Sequence, residues 1–256
     1  MTTRKDPLGG AVGNDPWWPT GRLHTRSGRE PLSREQIVEA TIRFVDREGL
    51  DALSMRRLGQ ELGAGATSLY WHIKNRDQLL DLVLDEIMGE VRAEVPPAQA
   101  WRDQLAEVAR AMRRVLVRHR HLASLLGERP TLGPNALEGL EWLMGTLRHD
   151  GFGVLDSALA VNLIVNWASG YAVFECRDPI SGPNISPDER QASVEAIGAM
   201  LASLPADRFP NVVAMATETS HLTADDQFEY GLARMLDGIE AHLTPKEPAA
   251  PPAEPS

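Results

Sequence analysis

Residues Thr67 to Leu80 read TSLYWHIKNRDQLL and follow closely on SMRRLGQELGAG. Tyr70, His72, Lys74, Asn75 and Arg76 bring hydrogen-bonding groups, a titratable ring and two fixed cations into one short stretch. That set suits a nucleic-acid surface: tyrosine, imidazole, ammonium and guanidinium groups grip phosphate oxygens. The short hydroxyls of Thr67 and Ser68 can meet base edges or thymine methyls, and Arg56, a little upstream, can reach a phosphate or the edge of a guanine. His72 fits a solvated surface equally well, and Trp71 reads as a core residue, not a contact.

Two short helices joined by a tight turn must position these groups. They cross steeply only if a small residue lies near the crossing and the turn holds a residue that tolerates positive φ. Gly59 and Gly63 meet both needs, and Leu58, Leu62, Ala64 and Leu69 supply shared apolar contacts. The unit is a helix-turn-helix, whose second helix enters a major groove. A first helix precedes it at LSREQI, where Ser33 and Gln36 form a capping box and Leu32 can staple onto Ile37. Its apolar stripe is Ile37, Ala40, Thr41, Phe44 and Val45, and Gly49 ends it. Asn75 can cap a fourth helix running from 76 to 92 towards EVPP.

The rest of the chain reads as helix, over about 101–119, 120–128, 135–149, 155–176, 188–203 and 224–243, without strand signals or internal repeats. The fold class is all-α. Residues 1–31, rich in Gly, Pro, Thr and Arg and holding Trp17 and Trp18, read as a disordered arm, and the Pro-rich stretch 244–256 as a disordered tail. Between them, 32–78 is the DNA reader and 79–243 a larger helical domain.

The net charge of −10 disfavours nucleic acid only on average. Residues 1–76 hold twelve Lys or Arg against nine Asp or Glu, whereas residues 77–256 hold fourteen against twenty-seven, so the reader is the basic part. No apolar run approaches the roughly 20 residues of a membrane span, and no signal peptide is read, so the expected location is the cytoplasm with no membrane partner. Cys176 is the single cysteine, which excludes an internal disulfide and a cysteine-rich zinc site. No cofactor and no metal site are expected.

From Ser33 to about Glu90, above all in LYWHIKNRDQLL after RRLGQELG, the chain resembles the DNA-binding domain of TetR-family transcriptional regulators, closest to the tetracycline-repressor branch. The resemblance implies DNA contacts at Arg56, Ala66, Thr67, Ser68, Tyr70, His72 and Arg76. Ala66 departs from the base-reading amide of the family's best-known member, so a different operator is implied.

WRDQLAEVARAMRRVLVRHR, LGERP, RHDGF and FEYGLARMLDGIEAHL extend the resemblance into that branch's ligand-binding and dimerisation domain. It implies a homodimer built on two helices per subunit. In helix 224–243, Gly231 and Gly238 lie seven apart with Phe228, Leu232, Met235, Leu236 and Ile239 alongside, a pattern that suits either that interface or core packing. The drug-binding histidines of the branch fall at Arg92 and Leu125, a glutamate at Glu175, and an asparagine and a phenylalanine at Val108 and Met112. Without those imidazoles a magnesium-bound tetracycline is not the expected ligand. The candidate pocket is lined by Val108, Met112, Leu116, Trp142, Leu143, Val161, Val165 and Trp167, with Arg92, Glu128, Asn162, Asn166 and Glu175 as polar groups. Such a lining suits a largely hydrophobic effector.

Two other classes compete. A helical enzyme would rest on His119, His121, Glu128, His149 and Asp150. However, His119 and His121 point apart on one helix, and His149 and Gly151 are accounted for by a helix C-terminus. A ligand-independent DNA binder would leave the larger domain without a role. The expected mechanism is a homodimer on double-stranded palindromic operator DNA, acting as a repressor. An effector would release it by moving the fourth helix and so changing the spacing of the two readers.

Overall fold

The computed structural model describes residues 32–98, 100–177 and 185–242. The expected arm 1–31 and tail 244–256 lie outside these residues. The described residues form α-helices and short 3-10 turns with no strand, as the sequence pattern requires. In order they are α1 (Arg34–Glu48), α2 (Met55–Glu61), α3 (Ala66–Tyr70), α4 (Arg76–Glu94), α5 (Trp101–Arg118), α6 (Arg120–Ala123), α7 (Pro134–His149), α8 (Val154–Arg177), α9 (Pro187–Ala202), α10 (Pro210–Glu218) and α11 (Ala224–Ala241). The turn Leu50–Ala52 and helix α10 have no counterpart in the sequence reading. Both are too short to establish a period; the available signal for α10 was Pro210 at its first position.

The described residues fall into two compact units, one of 32–93 with 118–139 and one of 94–117 with 140–242. The first is larger than the 32–78 stretch read as the DNA-binding part, because it takes in most of α4 and the segment that follows α5. It begins with the capping box foreseen at Ser33, whose backbone N–H donates to Gln36 Oε1 at 2.9 Å while its Oγ accepts from Gln36 N–H at 3.1 Å. Gly49 stops α1 with φ of 83° and donates to Val45 O at 2.8 Å. Ile37, Ala40, Thr41, Phe44 and Val45 are all buried, and Thr41 satisfies its hydroxyl by donating to Ile37 O at 2.7 Å.

In the second unit the core is built on α5, α8 and α11. Phe228 is fully buried, stacks on Trp167 with ring centroids 4.8 Å apart, and meets Tyr171 edge-on at 5.2 Å. Arg113 lies over the Phe228 ring at 4.8 Å and is bound by Glu175 at 2.7 and 3.1 Å and by Asp225 at 2.8 Å. Burial works against the Arg113 charge, but these two carboxylates more than compensate and hold it protonated. Arg110 adds a paired bond to Glu229 at 2.8 and 2.6 Å, and Tyr171 donates its hydroxyl to Ala224 O at 2.9 Å.

Helix α8 corrects one reading. Over 24 residues, by length and composition alone, it is long and apolar enough to cross a membrane, although no run was expected to be. The scattered Ser157, Asn162 and Asn166 hid it from an uninterrupted count. One of its faces is buried in this unit, through Ala160, Val161, Ile164, Ala168 and Ala172.

Candidate functional site

The reader is assembled from α2, its turn and α3. Ser54 caps α2 by accepting from Arg57 N–H at 3.3 Å. Gly63 turns the chain with φ of 60°, the left-handed region where a side chain would be strained, and Ala64 N–H closes the turn on Gly59 O at 2.9 Å. Gly59 is buried at the crossing, as its small size predicts. Leu58 and Leu69 are fully buried, whereas Leu62 and Ala64 are only half-buried.

With Leu69 and Ile73 both at 0% exposure, the inward positions around α3 are filled four residues apart. Between them Tyr70 and Trp71 are turned out. Thr67, Ser68 and Tyr70 are exposed and His72 is half-buried. Trp71, read as a core residue, is instead 85% exposed. The correction follows from where α3 ends: Trp71 is its C-cap, and Leu69 in the helix with Ile73 just beyond it fills the inward positions. Trp71 therefore joins the candidate contact surface. Ala66 opens the helix after Gly65.

Around α3 the cations take two kinds of place. Arg57 is committed to the scaffold, paired with Glu48 at 3.2 Å and donating to Ala52 O at 3.2 Å. Arg56 and Lys74 are exposed. Arg76 is exposed too and touches Leu50 O at 3.3 Å, a single long bond that an anion could replace. The stretch after α3 is fixed to α4 by Asn75, whose side chain accepts from Gln78 N–H at 2.8 Å, and by Gln78, whose side chain accepts from Lys74 N–H at 2.6 Å.

For the candidate pocket the apolar and polar predictions part. In the second unit Val108, Met112, Leu116, Leu143 and Val161 are all at most 5% exposed, and Trp142, Val165 and Trp167 are half-buried. Asn162 and Asn166 are exposed and bonded to each other at 3.0 Å, on the outer face of α8. Glu175, expected to await a ligand or Arg92, is occupied by Arg113. In the first unit Arg92 and Glu128 are exposed, and Leu125, at a drug-binding histidine's position, is buried.

The expected interface residues also divide. Phe228 and Leu232 have 0% and 1% of their surface exposed within one chain, so they have none left for a partner. A Cβ on Gly231 would lie 2.8 Å from Trp167 Cζ2, so that glycine serves packing inside the subunit. Met235 is half-buried, and Gly238 is exposed with open space beside it. The cluster that suggested an enzyme is not assembled either. His119 is engaged by Asp46 and Glu90, Asp150 accepts from Trp101 N–H at 3.0 Å, and His121, Glu128 and His149 are exposed. Among the described residues no group of three or more His, Cys, Asp or Glu is placed to hold a metal ion.

His119 gives the first unit a pH dependence. It is 6% exposed, with Nδ1 2.8 Å from Asp46 Oδ2 and Nε2 3.0 Å from Glu90 Oε2, and the Arg118 guanidinium also reaches Glu90, at 3.0 Å. Burial disfavours the imidazolium, but the bonds and charges of Asp46 and Glu90 outweigh it and raise its pKa above the usual 6.5. A raised folded-state pKa means stability that is fully present below the unfolded value and is lost as pH climbs through the folded one. Thermal melts should therefore fall in midpoint as pH rises above about 6.5, and His119→Gln should flatten that decline. An equal slope in parent and variant would assign it to other groups.

Comparison with known proteins finds two family profiles and several named regulators that match the chain. The profile for bacterial regulatory proteins of the tetR family matches residues 37–83, and that for the tetracyclin repressor-like C-terminal domain matches residues 95–243. An HTH-type transcriptional regulator of Saccharopolyspora erythraea is 37% identical over 73% of this chain and 81% of its own length. The HTH-type transcriptional repressor DrrR1 of Streptomyces coeruleorubidus is 33% identical over 87% of this chain and 83% of its own. The crystal structure of ActR, a TetR family protein of Streptomyces coelicolor, in complex with actinorhodin superposes with a TM-score of 0.70 at 38% identity, covering 82% of this chain and 98% of that one. These relatives carry the names of transcriptional regulators, not of enzymes.

Proposed function

The chain belongs to the tetR family of bacterial regulatory proteins and is a ligand-responsive transcriptional repressor, and from that premise we propose that it works in the cytoplasm as a homodimer on a palindromic operator and is released by a largely apolar organic effector. The observation that carries the reading is the outward surface of α3. Thr67, Ser68, Tyr70 and Trp71 are exposed on a helix held from behind by two fully buried residues. A helix so short and so polar outside gains its stability from what lies behind it and leaves its face for base edges. Arg56, Tyr70, His72, Lys74 and Arg76 supply phosphate contacts around it, with Thr67 and Ser68 on the bases and Ala66 close to them.

Enrichment of bound sequences from random duplexes tests this directly. The parent should recover an inverted repeat with half-sites one helical turn apart, and Ser68→Ala should relax one position of each half-site by about 1–3 kcal/mol. Recovery of no preferred sequence would sink the proposal, and an unchanged motif in the variant would remove Ser68 from base reading.

On the effector side, the buried row Val108, Met112, Leu116, Leu143 and Val161 supports an apolar ligand in the second unit. ActR has been crystallised with (S)-DNPA as well as with actinorhodin, so these two compounds are the first to try. Leucine at 125 offers no lone pair and the guanidinium at Arg92 only donates hydrogen bonds, so neither replaces an imidazole on a metal. Calorimetry with tetracycline and magnesium should accordingly show no heat above background, whereas either ActR ligand should raise the melting temperature. Micromolar magnesium-dependent tetracycline binding would overturn this part.

A further inference from the structure

Arg113 stands on α5 one residue past Met112 and three before Leu116, at the edge of the buried apolar row offered to the effector. Its side chain is 15% exposed, with the rings of Phe228 and Tyr171 at 4.8 and 5.5 Å from the guanidinium carbon. Along α8, Trp167, Tyr171 and Glu175 recur every fourth residue and so share a face, and the last two touch Arg113 directly. The two carboxylates on this cation are not alike. Glu175 takes Nε and Nη2 at 2.7 and 3.1 Å, the side-on geometry of a fixed pair, and is itself largely enclosed. Asp225 meets only Nη1, at 2.8 Å, and its side chain is 82% exposed. An ion pair so open to water stabilises weakly. Nor does the start of α11 depend on it, because Thr223 and Asp226 form the capping box there.

We propose that Arg113 is the acid-recognising group of the effector site: the effector is a largely apolar compound bearing a carboxylate, which takes the place of Asp225 on Nη1 while Glu175 stays bound. The inference rests on the apolar-effector reading and names the polar group that such a ligand carries. Exchanging one carboxylate for another leaves the charge around the guanidinium unchanged, so an enclosed cation is never left short of a partner. A neutral effector gains nothing comparable. An ester oxygen accepts a hydrogen bond but brings no charge to replace the one it displaces, and an ammonium group is repelled. The apolar remainder of the ligand lies towards Met112 and Leu116, where burial supplies affinity and the carboxylate supplies selection among apolar compounds.

Matched pairs of compounds test this. Naphthalene-2-carboxylate and anthraquinone-2-carboxylate, both ionised at neutral pH, are titrated calorimetrically into the full chain, each beside its uncharged methyl ester. In the parent at least one acid should bind, and more tightly than its ester by about tenfold or more. Asp225→Asn removes the competing charge from an exposed position, so it should tighten that acid by about threefold or more and leave the ester within about twofold. A purely structural ion pair predicts no such gain. Arg113→Gln should bring acid and ester within about twofold of each other, and Arg113→Lys, which keeps the charge, should restore part of the preference. Should Arg113→Gln fail to fold, Asp225→Asn decides alone. Equal affinity of acid and ester in the parent overturns the inference and leaves an apolar effector standing, and so does an Asp225→Asn chain whose acid affinity is unchanged or weaker. Binding of neither member of either pair, in calorimetry and in thermal melts alike, would overturn the apolar-effector reading and this inference with it.

Discussion

Phe228→Ala should cost the second unit about 3–5 kcal/mol in denaturant unfolding, the largest single-residue loss expected in the chain. The ring is wholly buried, lies against Trp167 and Tyr171, and supports the Arg113 guanidinium, so its removal opens a cavity under a charge. Arg113 would keep Glu175 and Asp225 but lose the ring beneath it, and a partly buried ion pair with a void on one side attracts water. Gly231→Ala probes the same cluster from the opposite direction. Its new Cβ would stand 2.8 Å from Trp167 Cζ2, and overpacking of that kind costs about 1–3 kcal/mol. Both variants should keep the parent's oligomeric state in light scattering at low denaturant. If either were to yield folded monomers of undiminished stability, the cluster would belong to an interface and not to the subunit's core.

That cluster marks a boundary of what the sequence discloses. Helices with caps and stripes were readable: Ser33 and Gln36, the α1 stripe, Gly49, and the glycines of the reader turn stand where residue type and spacing put them. Periodicity reports that a helix has an apolar face, however, and not which of two faces a partner covers. Helix α11 alternates Phe228, Leu232, Leu236 and Ile239 with Tyr230, Arg234 and Gly238, and from sequence either row could be the shared one. Only the position of Trp167, far off in the chain, turns Phe228 and Gly231 inward. The same holds at Trp71, whose size suggests a core, while two neighbours with better register already fill it. Glu175 was readable as a carboxylate beside a pocket, but its partner Arg113 lies 62 residues away on another helix. Long-range ion pairs leave no local signature.

With Phe228 and Leu232 assigned to the core, the interface of the homodimer proposed above is expected on the outer face of α8. Leu155, Leu159, Leu163 and Phe174 are 69%, 59%, 44% and 77% exposed within one chain, and Asn162, Asn166 and Gly170 share that side of the helix. An apolar row of this length is more than a monomer in water usually leaves uncovered. The two asparagines favour a protein partner, which can return their hydrogen bonds, over hydrocarbon, which cannot. On α11 the exposed Tyr230, Arg234 and Gly238 lie on one side, so two helices per subunit are available for a four-helix contact. The double variant Leu159→Glu, Leu163→Glu should therefore run as a monomer in light scattering. Its melting temperature should change little apart from the loss of mass action, because both side chains are exposed within one chain. A lone reader keeps the contacts of one half-site only, so affinity for the enriched duplex should fall by about a thousandfold or more, from the range of specific binding towards that of random DNA. Binding to a scrambled duplex should fall far less. A variant that stays dimeric, or a monomer that keeps the parent's affinity, would move the interface elsewhere or remove the need for one.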